Sequence, residues 1–329
     1  MKYKVFVTRQ IPDEGIKLLK KASNIKLEVY EHDKKIPRAE LKRRVKGADI
    51  ILSILTERMD AEIMDAAGPQ LKMIANYAVG FNNIDVEAAK LRGITVTNAP
   101  NEQGAESVAE HTVALMFALA KRIVETDKFT RAGKYKSWGP QLLLGTDLWG
   151  KTVGIIGSGQ IGSGVVKRLH NGFNMKVVYT DIHRNPKLEK ETDAKFHSLE
   201  QLLKQSDFVS LHVPLLPSTR HLIGAKELKL MKKTAFLINT ARGPVVDEKA
   251  LVKSLMKGEI AGAGLDVYEC ELMIDCDPND NLELRTLSNV VLTPHTASAT
   301  LETRQVMSRI AAQNILAFVR GKIPPNKIK

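Results

Sequence analysis

The stretch "TVGIIGSGQIGSGVVKRL", residues 152–169, limits what this chain folds into more than any other. Gly157, Gly159 and Gly162 form G-x-G-x-x-G between an apolar run, "KTVGII", and an amphipathic segment, "QIGSGVVKRL". In that strand–turn–helix context each glycine has its own duty. Gly157 permits the tight turn, Gly159 lets the backbone approach a pyrophosphate, and Gly162 lets helix and strand pack closely. The helix start then offers N–H groups and a favourable dipole to phosphate. Roughly 20 residues further, "VVYTD" ends a second strand on Asp181, where a carboxylate bonds a ribose 2′-hydroxyl. A glycine turn used only for packing leaves Asp181 unexplained, so the stretch implies dinucleotide binding. The same carboxylate repels a 2′-phosphate, favouring NAD(H) over NADP(H), with His183 and Arg184 partly offsetting the repulsion.

The motif arrives almost halfway along a chain of 329 residues, so a complete unit should precede it. The first hundred residues alternate apolar runs ("YKVFVT", "KLEVYE", "DIILSIL", "LKMIANY", "ITVTN") with amphipathic segments such as "DEGIKLLKKA". Repeated βα units imply a mostly parallel sheet with helices on its faces. Residues 107–130 read as one long helix, apolar nearly all round at "VALMFALA" and hence buried between domains or subunits. A second α/β run follows: "TVGIIG", "KVVYTD", "DFVSLHVP", "AFLINT", "AGAGLDV". A last helix, about 301–320, is expected to return to the first domain, because chain termini often pair there.

Composition excludes several classes. No apolar run approaches the roughly 20 residues needed to span a bilayer, and the start "MKYKVFVTRQ" lacks a signal-peptide core. The expectation is a soluble, cytoplasmic protein with no membrane partner. Cys270 and Cys276 read as two reduced thiols in one loop, and no Cys/His cluster has metal-site spacing. The net charge of +12 is spread in short groups such as "LKRRVK" among acids, without the aromatic interleaving of a nucleic-acid binder. It reads as solvated helix faces, with small anionic ligands as the remaining partners.

Three residues sit just past strands of the second run: Arg242 in "INTARG", Glu271 in "DVYECE" and His295 in "TPHTAS". Carboxyl ends of strands face the ligand crevice of an open α/β sheet, so all three are expected to converge beside a nicotinamide. Hydride transfer to a 2-oxo acid needs a cation on the substrate carboxylate, which Arg supplies with two parallel bonds. It needs an acid for the developing alkoxide, and His titrates in the useful range. A carboxylate beside the His orients the ring and favours its protonated form. Taken singly, each has a plainer reading: a surface ion pair, a solvated Glu, a packed His.

Over essentially its whole length the chain resembles the D-2-hydroxyacid dehydrogenase family. The matching pieces are "NYAVGFNNIDVEAAKLRGITVTN", "ESVAEHTVALMFALAKR", "LWGKTVGIIGSGQIG", "LHVPLLPSTRHLI", "LINTARGPVVDEKAL", "AGAGLDVYE" and "NVVLTPHTASAT". "LTERMDAEIMDAA", "NYAVGFNNID" and "SWGPQLLLGTDLWGKT" look most like the glyoxylate/hydroxypyruvate reductase branch, whereas "NEQGAESVAEHT" leans toward the phosphoglycerate and lactate dehydrogenases.

The resemblance implies two Rossmann-like lobes, a flavodoxin-like substrate lobe (residues 1–100 and 296–329) and an NAD-binding lobe (101–295), with an interlobe cleft. It implies Arg242 on the substrate carboxylate and His295 as proton donor paired with Glu271. Leu55, Val79, Gly80 and Ser298 are added on the substrate side. On the cofactor side it adds Gln160 and Ile161 at the pyrophosphate, and His212, Val213 and Pro214 near the adenosine. Thr240, Ala241, Asp266 and Ala297 are placed near the nicotinamide, as is Val79. The long apolar helix would serve a homodimer, with Trp138 approaching the partner or acting as a plain interface aromatic.

Four departures stand out: Leu272 follows Glu271 where Pro is usual, the loop "LMIDCDPNDNLELRTLS" is longer, Thr296 and Ala297 replace Ile-Gly, and Asn82 replaces Asp. The expected activity is NADH-dependent reduction of glyoxylate or hydroxypyruvate. A phosphoglycerate-type enzyme is the alternative, with Arg58 as the extra cation, and an NAD(H)-sensing binding protein is the alternative of another class.

Overall fold

In the computed structural model, which describes residues 2–271 and 282–328, the chain divides into two units. Among the described residues, one comprises 2–104 and 299–328, and the other 105–271 and 282–298. Leu272 and Cys276, with most of the longer loop, lie outside the described residues.

The first unit begins β1 (Tyr3–Val7), α1 (Asp13–Lys20), β2 (Ile25–Val29), α2 (Arg38–Val45) and β3 (Ile50–Ser53). It continues α3 (Ala61–Ala67), β4 (Met73–Asn76), α4 (Val86–Leu91) and β5 (Thr95–Thr97). All pairings are parallel, in the order β2-β1-β3-β4-β5, which is the flavodoxin-like winding. Residues of β3 and β4 are buried on both faces, as continuous apolar runs covered by helices on either side should be. Asp60 and Asp85 cap α3 and α4 by accepting from Ile63 N and Ala88 N, which sharpens both loop-to-helix turns.

The chain then forms α5 (Glu102–Ala120) and α6 (Ile123–Arg131). The continuous helix expected over 107–130 is thus broken. Arg122 adopts a left-handed conformation (φ 53°), and its guanidinium donates to Glu125 (2.7 and 2.8 Å) and to Leu144 O (3.1 Å). Thr146 N meanwhile donates to Ala120 O at 2.8 Å and takes a carbonyl the helix would otherwise continue from. A strained residue and a returning loop together end the helix, and neither is visible in hydrophobic periodicity.

The second unit runs β6 (Thr152–Ile156), α7 (Gln160–Phe173), β7 (Lys176–Thr180), α8 (Pro186–Thr192), β8 (Lys195–Phe196) and α9 (Leu199–Gln205). Then follow β9 (Phe208–Leu211), α10 (Ala225–Leu230), β10 (Phe236–Asn239), α11 (Glu248–Met256), β11 (Gly262–Leu265), α12 (Leu282–Thr286) and β12 (Val290–Leu292). The parallel order β12-β11-β10-β9-β6-β7-β8 is the Rossmann winding with a further strand, and it reverses direction between β6 and β9. The two-residue, exposed β8 had no apolar signal to announce it. Finally α13 (Leu301–Val319) packs on α1 and the first sheet, where Met307, Ala311, Ala312 and Ile315 share a core with Val5, Leu19 and Ile50. Ser308 Oγ donates to Pro12 O at 2.6 Å and accepts from Gly15 N, so this terminal helix is fixed by specific bonds as well as by burial.

Candidate active site

Gly157 follows β6 with φ +96°, and a Cβ there would stand 2.7 Å from His212 O. A Cβ on Gly162 would meet Gly157 O at 2.1 Å, so only glycine lets α7 start this close to the turn. Around Gly159, by contrast, nothing lies within 4 Å of such a Cβ. That open approach in front of the first turn of α7, with Gln160 and Ile161, fits a pyrophosphate. Among the described residues no side chain caps α7, which leaves its N-terminal N–H groups to a ligand or water.

Asp181 lies where the sequence put it, one residue past β7. Its Oδ2 accepts from Ser158 N (2.7 Å) and Ser158 Oγ (2.9 Å), and Oδ1 accepts from Ile182 N (2.7 Å). The carboxylate is therefore fixed against the glycine turn. Arg184 is turned to Glu189 through two bonds (3.0 and 2.9 Å) and lies over the Phe196 ring. Its charge is matched locally rather than left for a phosphate. At the other side of the switch point, His212 Nε2 meets Ser210 Oγ at 2.9 Å, while its buried Nδ1 has no partner among the described residues. Burial pulls its pKa down to about 3, so the ring is neutral and contributes no cation to phosphate binding. Val213 and Pro214 follow it in a half-exposed loop.

His295, Glu271 and Arg242 all follow strands of this sheet. His295 Nδ1 lies 2.7 Å from Glu271 Oε2. A carboxylate only accepts, so Nδ1 carries the proton of this bond and Nε2 is left for chemistry. Glu271 is steadied by Tyr268 N, which donates to Oε1 at 3.1 Å. His295 itself has φ +56°, a rare conformation for a side-chain-bearing residue, costing about 1–3 kcal/mol.

The holder of that conformation is Asp266, 1% exposed. Its backbone O accepts from His295 N (2.9 Å), and its carboxylate accepts from Thr293 Oγ1 (2.6 Å), Thr296 N (2.8 Å) and Ala297 N (2.8 Å). His111 Nε2 adds a bond to Thr293 Oγ1 at 3.0 Å. Placed near the nicotinamide by resemblance, Asp266 spends its oxygens on the loop that carries His295. Thr293 and His111 were not singled out from sequence. For His111 the signal was a polar pair with Thr112 on a largely apolar helix, "AEHTVALM"; for Thr293, at a strand end, there was none.

Arg242 stands at a turn shaped by Asn239, whose amide accepts from Ala241 N and donates to Arg242 O (both 3.0 Å). Thr240 Oγ1 is 2.8 Å from Thr112 Oγ1. A Cβ on Gly243 would overlap Tyr268 O at 1.7 Å, so this glycine lets the arginine turn close on the segment leading to Glu271. Burial lowers the Arg242 pKa, and the Glu271 charge opposes that shift. In the first unit, Leu55 follows β3, and Val79 and Gly80 follow β4 in a loop where Val79 is 49% exposed. Asn98 Nδ2 donates to Val79 O (2.7 Å) and Asn76 Nδ2 to Gly80 O (2.9 Å). Arg58 faces Asp60 at 3.5 Å, so its charge has a local partner. Ser298 is half-buried. Among the described residues no group of three His, Cys, Asp or Glu is arranged to hold a metal ion, and no helix is long and apolar enough to cross a membrane.

Fold and glycine cradle together define a dinucleotide-binding α/β protein, with an Arg, a Glu and a His following strands of its sheet. The model of the D-isomer specific 2-hydroxyacid dehydrogenase NAD-binding domain matches residues 113–297. A glyoxylate reductase of Pyrococcus furiosus is 48% identical over all of this chain and 96% of its own length. Among solved structures, the TT0316 protein of Thermus thermophilus aligns over 99% of this chain and 100% of its own, with a TM-score of 0.90 and 43% identity. An NADPH-dependent glyoxylate/hydroxypyruvate reductase of Sinorhizobium meliloti aligns over 99% and 98%, with a TM-score of 0.83 and 28% identity. The chain belongs to the D-isomer specific 2-hydroxyacid dehydrogenase family, a family of oxidoreductases.

Proposed function

We propose that this protein reduces glyoxylate, and hydroxypyruvate as a close analogue, to the 2-hydroxy acid in the cytoplasm, using NADH in preference to NADPH. The observation that carries the reading is the 2.7 Å His295–Glu271 bond at the strand ends of a Rossmann sheet, with Arg242 in the neighbouring turn. Gly157, Gly159, Gly162, Gln160, Ile161 and Asp181 would hold NADH, which would supply the hydride. Arg242 holds the substrate carboxylate, whose small size suits a planar fork in a partly desolvated turn. Backbone of Val79 and Gly80 is assigned to the same carboxylate, and Leu55 and Ser298 to the rest of the substrate. His295, oriented by Glu271 through its Nδ1, delivers a proton from Nε2 to the carbonyl oxygen as negative charge develops there. The preference for NADH follows from Asp181, backed against Ser158, and from Arg184 being held by Glu189.

The test is a panel of glyoxylate, hydroxypyruvate, phosphohydroxypyruvate and pyruvate, each with NADH and NADPH. Glyoxylate with NADH should be turned over, and His295→Ala should lose about 10²–10⁴-fold in kcat while still binding NADH. Absence of cofactor oxidation with every substrate overturns the assignment, and NADH binding without turnover would point instead to a nucleotide-sensing protein.

A further inference from the structure

The first unit contains a buried polar cluster that no catalytic role uses. Thr8, Ser53, Glu57, Asn76 and Asn83 are each 0–8% exposed, and they gather at the carboxyl ends of β1, β3 and β4. Glu57 Oε2 accepts from Thr8 Oγ1 (2.8 Å) and Ile54 N (3.0 Å), and Oε1 accepts from Thr56 Oγ1 (2.7 Å). Asn83 Nδ2 donates to Ile54 O and Glu57 O, both at 3.1 Å. Its Oδ1 accepts from Asn76 Nδ2 (3.1 Å), which also donates to Gly80 O, and Asn76 Oδ1 accepts from Ser53 Oγ (3.0 Å). These bonds link two loops: residues 54–57, which include Leu55, and residues 77–83, which include Val79 and Gly80.

A cluster of this kind is expensive to bury and rigid once every member is satisfied. We propose that Glu57, through Asn83 and Asn76, is a positioning residue that fixes the two loops for the carboxylate end of the 2-oxo acid, which rests on the assignment of Leu55, Val79 and Gly80 to substrate. Glu57 touches no reacting atom. It sets the Ile54–Glu57 turn, the turn presents two carbonyls to Asn83, and Asn83 fixes Asn76, which ties Gly80.

The geometry also says which replacement is tolerated. In Glu57→Gln the retained oxygen still accepts from Thr8 and Ile54 N, and the new NH₂ donates to the Thr56 hydroxyl, a rotor that accepts as well as donates. Glu57→Ala leaves Thr8 and Ile54 N without their buried acceptor.

The experiment measures KM for glyoxylate, kcat and the dissociation constant for NADH in wild type, E57A, E57Q and T8V. E57A should raise KM about tenfold or more with NADH affinity within about twofold, since it removes binding of one end of one substrate. E57Q should stay within about threefold of wild type, and T8V, close to isosteric and a second readout beside E57A, should raise KM by about threefold or more. An unchanged KM in T8V or in folded E57A overturns the proposal. So does E57Q as impaired as E57A, or an equal loss of NADH affinity, which marks a general structural role. Inactivity of the wild type toward 2-oxo acids would instead sink the functional assignment itself.

Discussion

At the residue scale, Arg242 is where chemistry and burial pull hardest against each other. Burial lowers its guanidinium pKa, but arginine starts so far above neutrality that it stays charged in proteins. A lysine starts near 10.4 and would suffer the same desolvation from a lower origin. It also cannot make the two parallel bonds of a planar fork. Arg242→Lys should therefore raise KM for glyoxylate about tenfold or more at neutral pH. The sign with pH follows: a lowered lysine pKa means the charge is lost as pH rises, so the ratio of variant to wild-type kcat/KM should fall from pH 7 toward 10. Parallel pH profiles for the two enzymes would remove Arg242 from the substrate. The positions of Arg242, Glu271 and His295 just past strands were legible because each follows an apolar run, and the three drew attention only in combination with the glycine motif. Glu57, Asn76, Asn83 and Thr293 were not legible, because a polar residue at a strand end or in a loop reads as solvated until its buried partner is known. Asp266 entered by resemblance alone, and its bracing of the His295 conformation was not legible because it depends on contacts to residues some thirty positions on.

At the element scale, the βα alternation in both halves was readable because fully covered parallel strands are continuous apolar runs, and every one of the first five appears as a strand. What escaped was decided by single bonds rather than by pattern: the left-handed break at Arg122, and the short β8, which pairs with β7 through only two residues. The β7–α8 connection is the element that should govern cofactor choice. Asp181 ends it on one side, and Tyr179 OH, Arg184 and Asn185 tie the rest to Glu189 and Ser158. Asp181→Ser removes the repulsion of a 2′-phosphate and keeps a short polar group beside Ser158. It should lower kcat/KM with NADH and raise that with NADPH, shifting their ratio by about tenfold or more. NADPH should still fall short of parity, because Arg184 stays engaged with Glu189. A ratio unmoved by the substitution would show that selectivity lies elsewhere in the nucleotide site.

At the scale of the whole molecule, the surface is notable less for its charge than for where its apolar residues are concentrated. Ile123, Val124, Tyr135, Trp138, Leu142, Leu144 and Trp149 are all 40% or more exposed, and they fall within one stretch of the chain running from α6 to the start of β6. The long helix α5, expected to supply a subunit interface, buries Leu115, Met116 and Leu119 in its own unit's core with Val153 and Ile155. The exposed apolar surface belongs instead to the segment that follows it, and a monomer rarely leaves such a concentration in water. We therefore expect a homodimer that covers residues 123–149. Light scattering after gel filtration should give twice the 36.4 kDa of the chain at micromolar concentration. Leu144→Asp with Trp149→Asp should shift the mass toward one chain, because each carboxylate would have to be desolvated in the interface. Neither residue packs in the core of the second unit, so the variant should keep its fold by circular dichroism and its NADH affinity. A wild-type protein running as a single chain, or a double variant that remains a full dimer, would show that this stretch is not the interface.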